Sequence, residues 1–458
     1  MVNVQLIKAP CKETGMPEDR WYTPMNLLWL GTYLEKHKHK VEILDGQHLS
    51  TSEIVEKINS PFVGVSFDIM SSGSLDKIVE EAKRKGSIVI VGGQSATPLA
   101  ETLLKQNQNI DYVARYDGEE ALRQIIEGRN PKDVPNLTYR GQDKIISNPD
   151  LEVDLRTLPI PNRKLIDLES YINSFQKTKS EQNLPFSYNR PTNTYSKKGC
   201  PIRIKGHGCS WCSRVDKRFR QKTPQQFFDE LKYLHEEFGI DHVSDFSDDF
   251  LGSKNDDWLA ELEDIMKGSS LDMNLRIYTS VRNISENNVQ RLKKVGVDTL
   301  LLGIESGNDI ILRQNGKYQT KEQVIDACKL LKKHNITVSP AYILGLIGET
   351  EDSLRDTIKL SEQVSNICRT EISYWNPLTP LPGSNVWNIL IQNEGFKKEF
   401  GDTYRLNPTE LQKEHLKYNT QLGTEGYERL LEVREQMLSK ATIASKEYVP
   451  EERKTTIL

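Results

Sequence analysis

At 458 residues the chain is long enough for two or three domains, each with its own core. Its 36% hydrophobic and 28% charged residues, with a mean hydropathy of −0.58, describe a soluble protein, and no apolar run approaches the ~18 residues that span a bilayer. A formal charge of −4 argues against a dedicated nucleic-acid binder, and six cysteines in so long a chain are no disulfide framework, which points to a reducing cytoplasm.

The N-terminal VNVQLIKAP reads as a first strand; its apolar run is too short for a signal peptide. VEILD, FVGVSF, SIVIVGG and YVARY follow as strands, with helices expected around NLLWLGTYLEK, SLDKIVEEAKRKG, PLAETLLKQ and EEALRQIIEG. This alternation predicts a doubly wound parallel sheet over 1–130, with ligands at the strand C-terminal ends. KHKHK, residues 36–40, reads as a solvated loop after a helix. Residues 131–190, with PIPNRK and NLPFSYNRPTN, read as an irregular interdomain linker.

A second βα series begins at TYSKKGC. Thr223 and Gln226 form a capping box with Pro224 at the first helical position, and Phe227, Leu231 and Leu234 give that helix its apolar side. HVSDFSDDF, NLRIYTS, DTLLLGIESG, ITVSPAYILGLIGE and EISYWNPLTPLPGS alternate with further helices, giving six βα-type units. The expectation is a partial (β/α)6 barrel over 191–385 and a helical C-terminal domain over 386–458.

Cys328 and Cys368 fall at helical spacing with apolar neighbours and read as core, and Cys11 reads as a free loop thiol. Cys200, Cys209 and Cys212 cluster in the Gly-rich stretch GCPIRIKGHGCSWC, directly after the barrel's first strand. Zinc wants four ligands, and no fourth Cys or His falls at convincing spacing; His207 lies inside the tight loop. Three thiolates suit a 4Fe–4S cluster that keeps one iron open for a substrate or cosubstrate.

With these motifs in order, the chain resembles the radical S-adenosylmethionine enzymes that carry an N-terminal cobalamin-binding domain. The resemblance runs from Met1 to about Ser384. It rests on TPMNLLWLGTYLEKHKHKVEILD, VGGQSAT, YDGEEAL, VDLRTLPIPNRKLID, the cysteine loop, HVSDFSDDF, GIESG, ILGLIGET and PLPGS. Two departures stand out. The family usually places three residues between its first two cysteines, and here there are eight. The Asp-x-His-x-x-Gly signature of a lower axial histidine is missing, since DGQHLS puts His48 one position late and after the wrong strand. The resemblance therefore implies cobalamin bound without a histidine ligand.

It further implies a 4Fe–4S cluster on Cys200, Cys209 and Cys212. S-Adenosylmethionine is expected against Trp211, Ser280, Arg282, Glu305 and Gly345, with Glu305 on the ribose and the ILGLIGET glycines near the adenine. Cobalamin is expected against Tyr22, Thr23, Ser66, Asp68, Gly92, Gly93, Gly118 and Glu119. Asp248 and Asp249 are expected at the barrel mouth, and no residue is singled out as a catalytic acid or base. No Gly-x-Gly-x-x-Gly fingerprint supports a dinucleotide instead.

The implied chemistry is reductive cleavage of S-adenosylmethionine to a 5′-deoxyadenosyl radical, with methylcobalamin giving its methyl group to an unactivated carbon of a small molecule or peptide. An external donor such as flavodoxin or ferredoxin would supply the electron; no nucleic acid or membrane partner is expected. Cyclisation, ring contraction or another rearrangement without net methyl transfer is the second reading. A non-catalytic cobalamin and iron–sulfur binding protein is the third.

Overall fold

The computed structural model describes residues 1–11, 21–184, 186–206, 208–253, 256–423 and 425–446, with side chains of the last helix described to Lys440. Five parallel strands open the chain: β1 (Asn3–Lys8), β2 (Lys40–Asp45), β3 (Phe62–Ser66), β4 (Ile88–Gly92) and β5 (Tyr112–Ala114). Their order, β2-β1-β3-β4-β5, reverses direction between β1 and β3. In a doubly wound sheet that switch point opens a crevice at the strand C-terminal ends. The strands carry near-continuous buried runs such as Val4–Ile7 and Val89–Val91, as a sheet covered on both faces requires.

The stretch read as irregular is more ordered than expected. β6 (Leu137–Arg140) pairs antiparallel with β5, and β7 (Ile145–Ser147) pairs antiparallel with β6, extending the first sheet by a hairpin. A helix, Leu168–Glu181, follows, capped by Asp167 and burying Leu168, Tyr171, Ile172 and Phe175 on one face. The PIPNRK turn holds Arg163, which is fully buried. Its guanidinium donates to Thr23 Oγ1 (2.6 Å) and to the Asn193 carbonyl (2.7 Å), and lies 3.6 Å from Glu230. One cation thus ties together both sheets and the segment between them.

The second sheet begins with β8 (Pro191–Thr194). A two-stranded ribbon, β9 (Lys197–Lys198) with β10 (Arg220–Gln221), brackets the cysteine loop. The parallel series continues with β11 (His242–Asp245), β12 (Asn274–Ser280), β13 (Val297–Glu305), β14 (Thr337–Leu344) and β15 (Tyr374–Pro377). The order β8-β11-β12-β13-β14-β15 follows the chain, as a partial (β/α)6 barrel demands. The Thr223–Gln226 capping box forms as the sequence predicts, and Phe227, Leu231 and Leu234 are fully buried in the barrel core.

The C-terminal helices are not merely appended. Val386, Trp387, Phe396 and Phe400 pack into the first domain's core, while Leu416, Leu430 and Val433 pack into the barrel's. Arg405 Nε meets Asp76 of the first domain at 2.7 Å. This segment straps the two sheets together. No helix among the described residues is long and apolar enough to cross a membrane.

Candidate functional site

The cysteine loop is built around glycines and one carboxylate. Gly199 has φ +85°, and a Cβ there would lie 2.4 Å from the Arg218 carbonyl oxygen, so the chain can leave β9 this way only as glycine. Cys200 then caps a single helical turn, Pro201–Ile204, and a turn from Cys209 to Cys212 closes through the Cys212 N–H (3.1 Å). Asp248, just past β11, fastens both ends of the loop. Its Oδ2 accepts from the Gly199 N–H (2.9 Å), and its Oδ1 pairs with Arg214 Nε (2.7 Å).

Asn315 holds the middle of the loop. Its carbonyl accepts from the Ser210 N–H (2.9 Å) and its Oδ1 from Ser210 Oγ (2.6 Å), while its Nδ2 donates to the Ile347 carbonyl (2.9 Å). The cysteine loop and the ILGLIGET segment are therefore positioned by one buried amide. Sequence reading missed Asn315, because its partners lie far away in the chain.

All three cysteines are half-buried free thiols. Burial pushes the Cys200 and Cys209 thiols up, Cys209 to about 12, and the neighbouring cysteine sulfurs add to it. Lys317, which pairs with Glu305 at 3.0 Å, works in the opposite direction on Cys209. Among the described residues no three His, Cys, Asp or Glu side chains converge tightly enough to hold a single metal ion. The three thiols lie close enough to influence one another, and three thiolates from one loop are a donor set that suits a cubane. His207 lies outside the described residues.

Of the residues expected near S-adenosylmethionine, Ser280, Glu305 and Gly345 lie at or just past the ends of successive strands, Arg282 in the turn after β12 and Trp211 in the cysteine loop. Ser280 ends β12, with its N–H directed at Asp249 (3.4 Å), and Arg282 is half-buried in the turn that follows. Glu305 ends β13 with φ +66°, a left-handed conformation uncommon for a non-glycine residue, with its carboxylate on Lys317. Trp211 packs against an apolar cluster that includes Leu346 and Leu378. Gly345 has φ +79°, and a Cβ there would lie 2.7 Å from Leu416 Cδ2, so its missing side chain makes room for the C-terminal helices. Asp249 is not open to the mouth. It accepts from Thr279 Oγ1 (2.8 Å) and Asn283 Nδ2 (3.0 Å), and burial pushes its carboxyl to about 6.

Two further groups behind β14 escaped the sequence reading. Glu349 accepts from the Gly345 N–H (2.7 Å), and burial pushes its carboxyl to about 7. His415 donates to the Gly345 carbonyl (2.6 Å) while burial holds its ring down at about 4.

The strand ends of the two sheets face a shared cavity of about 750 Å³. Ala9, Asp68 and Gly93 line it from the first sheet, and Tyr195, Phe246 and Asp248 from the second. Tyr22 stands between, edge-on to Phe246 with ring centroids 4.5 Å apart, and Thr23 is locked to Asn193 by its N–H (2.7 Å) and hydroxyl (2.9 Å). A narrow apolar slot of about 90 Å³ runs on between β3, β4 and β5, walled by Gly64, Ser66, Gly92, Gly93, Gly118 and Glu119. Ser66 Oγ accepts from Asn26 (2.8 Å), and Asp68 caps the turn after β3 through the Met70 N–H (3.0 Å).

Glu119 Oε2 is buried with no hydrogen-bond partner among the described residues, and burial, reinforced by Asp117, pushes its carboxyl up. His48 lines neither space; it packs edge-on against Tyr171, centroids 4.3 Å apart.

A doubly wound domain and a six-stranded partial barrel, sharing a cavity beside a three-cysteine loop, define a class of two-domain cofactor enzymes. Residues 21–126 match the B12 binding domain, and residues 197–361 match the Radical SAM superfamily. The uncharacterized methyltransferase PH0819 of Pyrococcus horikoshii is 26% identical over 81% of this chain and 79% of its own length. The anaerobic magnesium-protoporphyrin IX monomethyl ester cyclase of Synechocystis is 24% identical over 74% of this chain and 68% of its own.

Among solved structures, the radical S-adenosylmethionine methyltransferase TsrM of Kitasatospora setae, with cobalamin and a [4Fe–4S] cluster bound, superposes at a TM-score of 0.68. It is 18% identical, over 85% of this chain and 74% of that one. The cobalamin-dependent S-adenosylmethionine radical enzyme OxsB superposes at 0.65, over 95% of this chain and 61% of that one, also at 18% identity. The chain belongs to the radical S-adenosylmethionine enzymes with an N-terminal cobalamin-binding domain. Its cofactors are accordingly a 4Fe–4S cluster, S-adenosylmethionine and cobalamin, and the thiolate trio and the glycine-walled slot fit the first and the last.

Proposed function

We propose that this enzyme transfers a methyl group from S-adenosylmethionine, by way of cobalamin, to an unactivated carbon of a small-molecule substrate. The observation that carries the reading is the single cavity lined jointly by Asp68 and Gly93 of the first domain and by Phe246 and Asp248 of the barrel. A substrate carbon held there lies between the two cofactor faces, and proximity of that kind removes much of the entropic cost of a two-reagent reaction. Likeness to the Pyrococcus methyltransferase over four fifths of both chains supports methyl transfer as the outcome.

In this reading Cys200, Cys209 and Cys212 hold the cluster. Ser280, Arg282, Glu305 and the peptide around Gly345 receive S-adenosylmethionine, with Trp211 against its base. Tyr22, Thr23, Ser66, Asp68 and the Gly92–Gly93 and Gly118–Glu119 turns receive cobalamin. The cofactors supply the radical and methyl-donor chemistry. The protein's part is to align them and to keep water away, for which the aromatic walls of Tyr22, Tyr195 and Phe246 are suited. A flavodoxin- or ferredoxin-like carrier supplies the electron.

The likeness to the Synechocystis cyclase favours a second reading, ring formation or rearrangement without net methyl transfer. Product analysis of anaerobic turnover with candidate substrates separates the two. Methylation yields S-adenosylhomocysteine and 5′-deoxyadenosine in comparable amounts, whereas rearrangement yields no S-adenosylhomocysteine. Replacing all three loop cysteines by Ala removes iron and all 5′-deoxyadenosine formation; iron retained by that variant would refute the ligand assignment.

A further inference from the structure

The eight residues between Cys200 and Cys209 contain a device that a shorter loop has no room for. The helical turn Pro201–Ile204 sends the side chain of Arg203 back across the loop, where its guanidinium donates to Cys212 Sγ at 3.6 Å. Arg203 is half-buried, whereas Ile204 and Lys205 beside it are exposed. Gly206, at φ +82°, turns the chain, and Gly208 leaves space for the arm, since a Cβ there would lie 3.1 Å from Arg203 Cγ. Two glycines and a helical turn are thus arranged around one arginine–sulfur contact.

We infer that Arg203 sets the reduction potential of the cluster through the Cys212 sulfur, and that the lengthened loop serves to place it there. This rests on the reading that the three cysteines hold the cluster. The step it acts on is uptake of one electron from a flavodoxin- or ferredoxin-type carrier, which takes the cluster from its 2+ to its 1+ state and breaks no bond. The added negative charge is shared with the ligand sulfurs, so a hydrogen bond and a fixed positive charge on one of them stabilise the reduced state. Arg203 is a positioning residue in this role: it touches a ligand atom and not the reacting carbon.

The test is an EPR-monitored redox titration of the anaerobically reconstituted full chain, with iron content measured first. Arg203→Gln is expected to lower the midpoint by about 59 mV, a tenfold change in the oxidised-to-reduced ratio of a one-electron couple. Arg203→Lys should fall between that variant and the native protein. Lys205→Gln, which removes an exposed charge from the same loop, should leave the midpoint unchanged.

If Arg203→Gln takes up too little iron to titrate, Arg203→Lys decides: a lowered midpoint supports the role and an unchanged one overturns it. An unchanged or raised midpoint in iron-replete Arg203→Gln overturns it, as does an equal shift in Lys205→Gln. Failure of the cysteine assignment would look different, because the native protein itself would then give no cluster signal.

Discussion

Arg214 and Asp248 meet at 2.7 Å, and the same carboxylate accepts the Gly199 N–H at 2.9 Å. Arg214 lies two residues after Cys212 and Gly199 one before Cys200, so Asp248 ties the loop's exit to its entrance. Arg214 also donates to Gln94 of the first domain (3.2 Å). The closure of the cysteine loop is therefore linked to the turn that follows Gly92, the last residue of β4, and begins with Gly93.

Asp248→Asn is expected to loosen this closure without unfolding the barrel. Its amide nitrogen would face either the Gly199 N–H or the Arg214 guanidinium, setting donor against donor. Iron and sulfide retained after reconstitution should fall several-fold while the far-ultraviolet circular dichroism stays native. Full iron retention would show that the loop closes without Asp248.

Arg163→Met tests the join between the domains. The substitution removes a fully buried cation and leaves Thr23 Oγ1 and the Asn193 carbonyl without this donor. Breaking a buried charged contact on one side costs about 3–5 kcal/mol, and here Lys222 still pairs with Glu230, so about 3 is expected. The melting temperature should drop by several degrees, with faster proteolysis between residues 131 and 190. A variant as stable as the native chain would remove Arg163 from the account.

Glu349 gives a pH dependence with a defined sign. Its carboxyl moves from an ordinary 4.5 to about 7 on burial, so the folded state holds the proton more tightly than the unfolded chain. Its contribution to stability is present below pH 4.5 and is lost as pH rises to about 7, by about 3 kcal/mol in all. Glu349→Gln keeps an acceptor for the Gly345 N–H and an amide for Ser353 Oγ but cannot ionise. Relative to native, it should melt similarly at pH 4.5 and several degrees higher at pH 8. Equal melting temperatures at both pH values would contradict the buried, proton-holding carboxyl.

His48→Ala should leave the spectrum of bound cobalamin unchanged and base-off. The ring packs on Tyr171, and burial holds it below its ordinary pKa, away from the walls of both spaces. A base-on spectrum in the native protein, or a spectral change on losing His48, would assign that ring a ligand role.

How much of this was legible beforehand varies with the range of the interactions. Thr223, Pro224 and Gln226 announce their helix locally, and the bounds of NLRIYTS as β12 coincide with the observed strand. The helix Leu168–Glu181 carried its own signal, with Leu168, Tyr171, Ile172 and Phe175 at helical spacing, but the surrounding Pro- and Asn-rich turns outweighed it. β6 and β7 have four and three residues, too few for a periodicity to register. Asn315, Arg163 and Glu349 were unreadable for another reason. Each is an ordinary polar residue in sequence, and only the fold reveals that its partners make it structural.

The central claim is that S-adenosylmethionine methylates the cobalamin held by this chain. The most direct measurement needs no substrate: the anaerobic holoenzyme, reduced to cob(I)alamin, is mixed with S-adenosylmethionine bearing a trideuterated methyl group, and the cobalamin is recovered for mass spectrometry. The account predicts cobalamin carrying the trideuterated methyl, with one S-adenosylhomocysteine formed per cobalamin labelled. Unlabelled cobalamin, with 5′-deoxyadenosine as the sole product of S-adenosylmethionine, would contradict it.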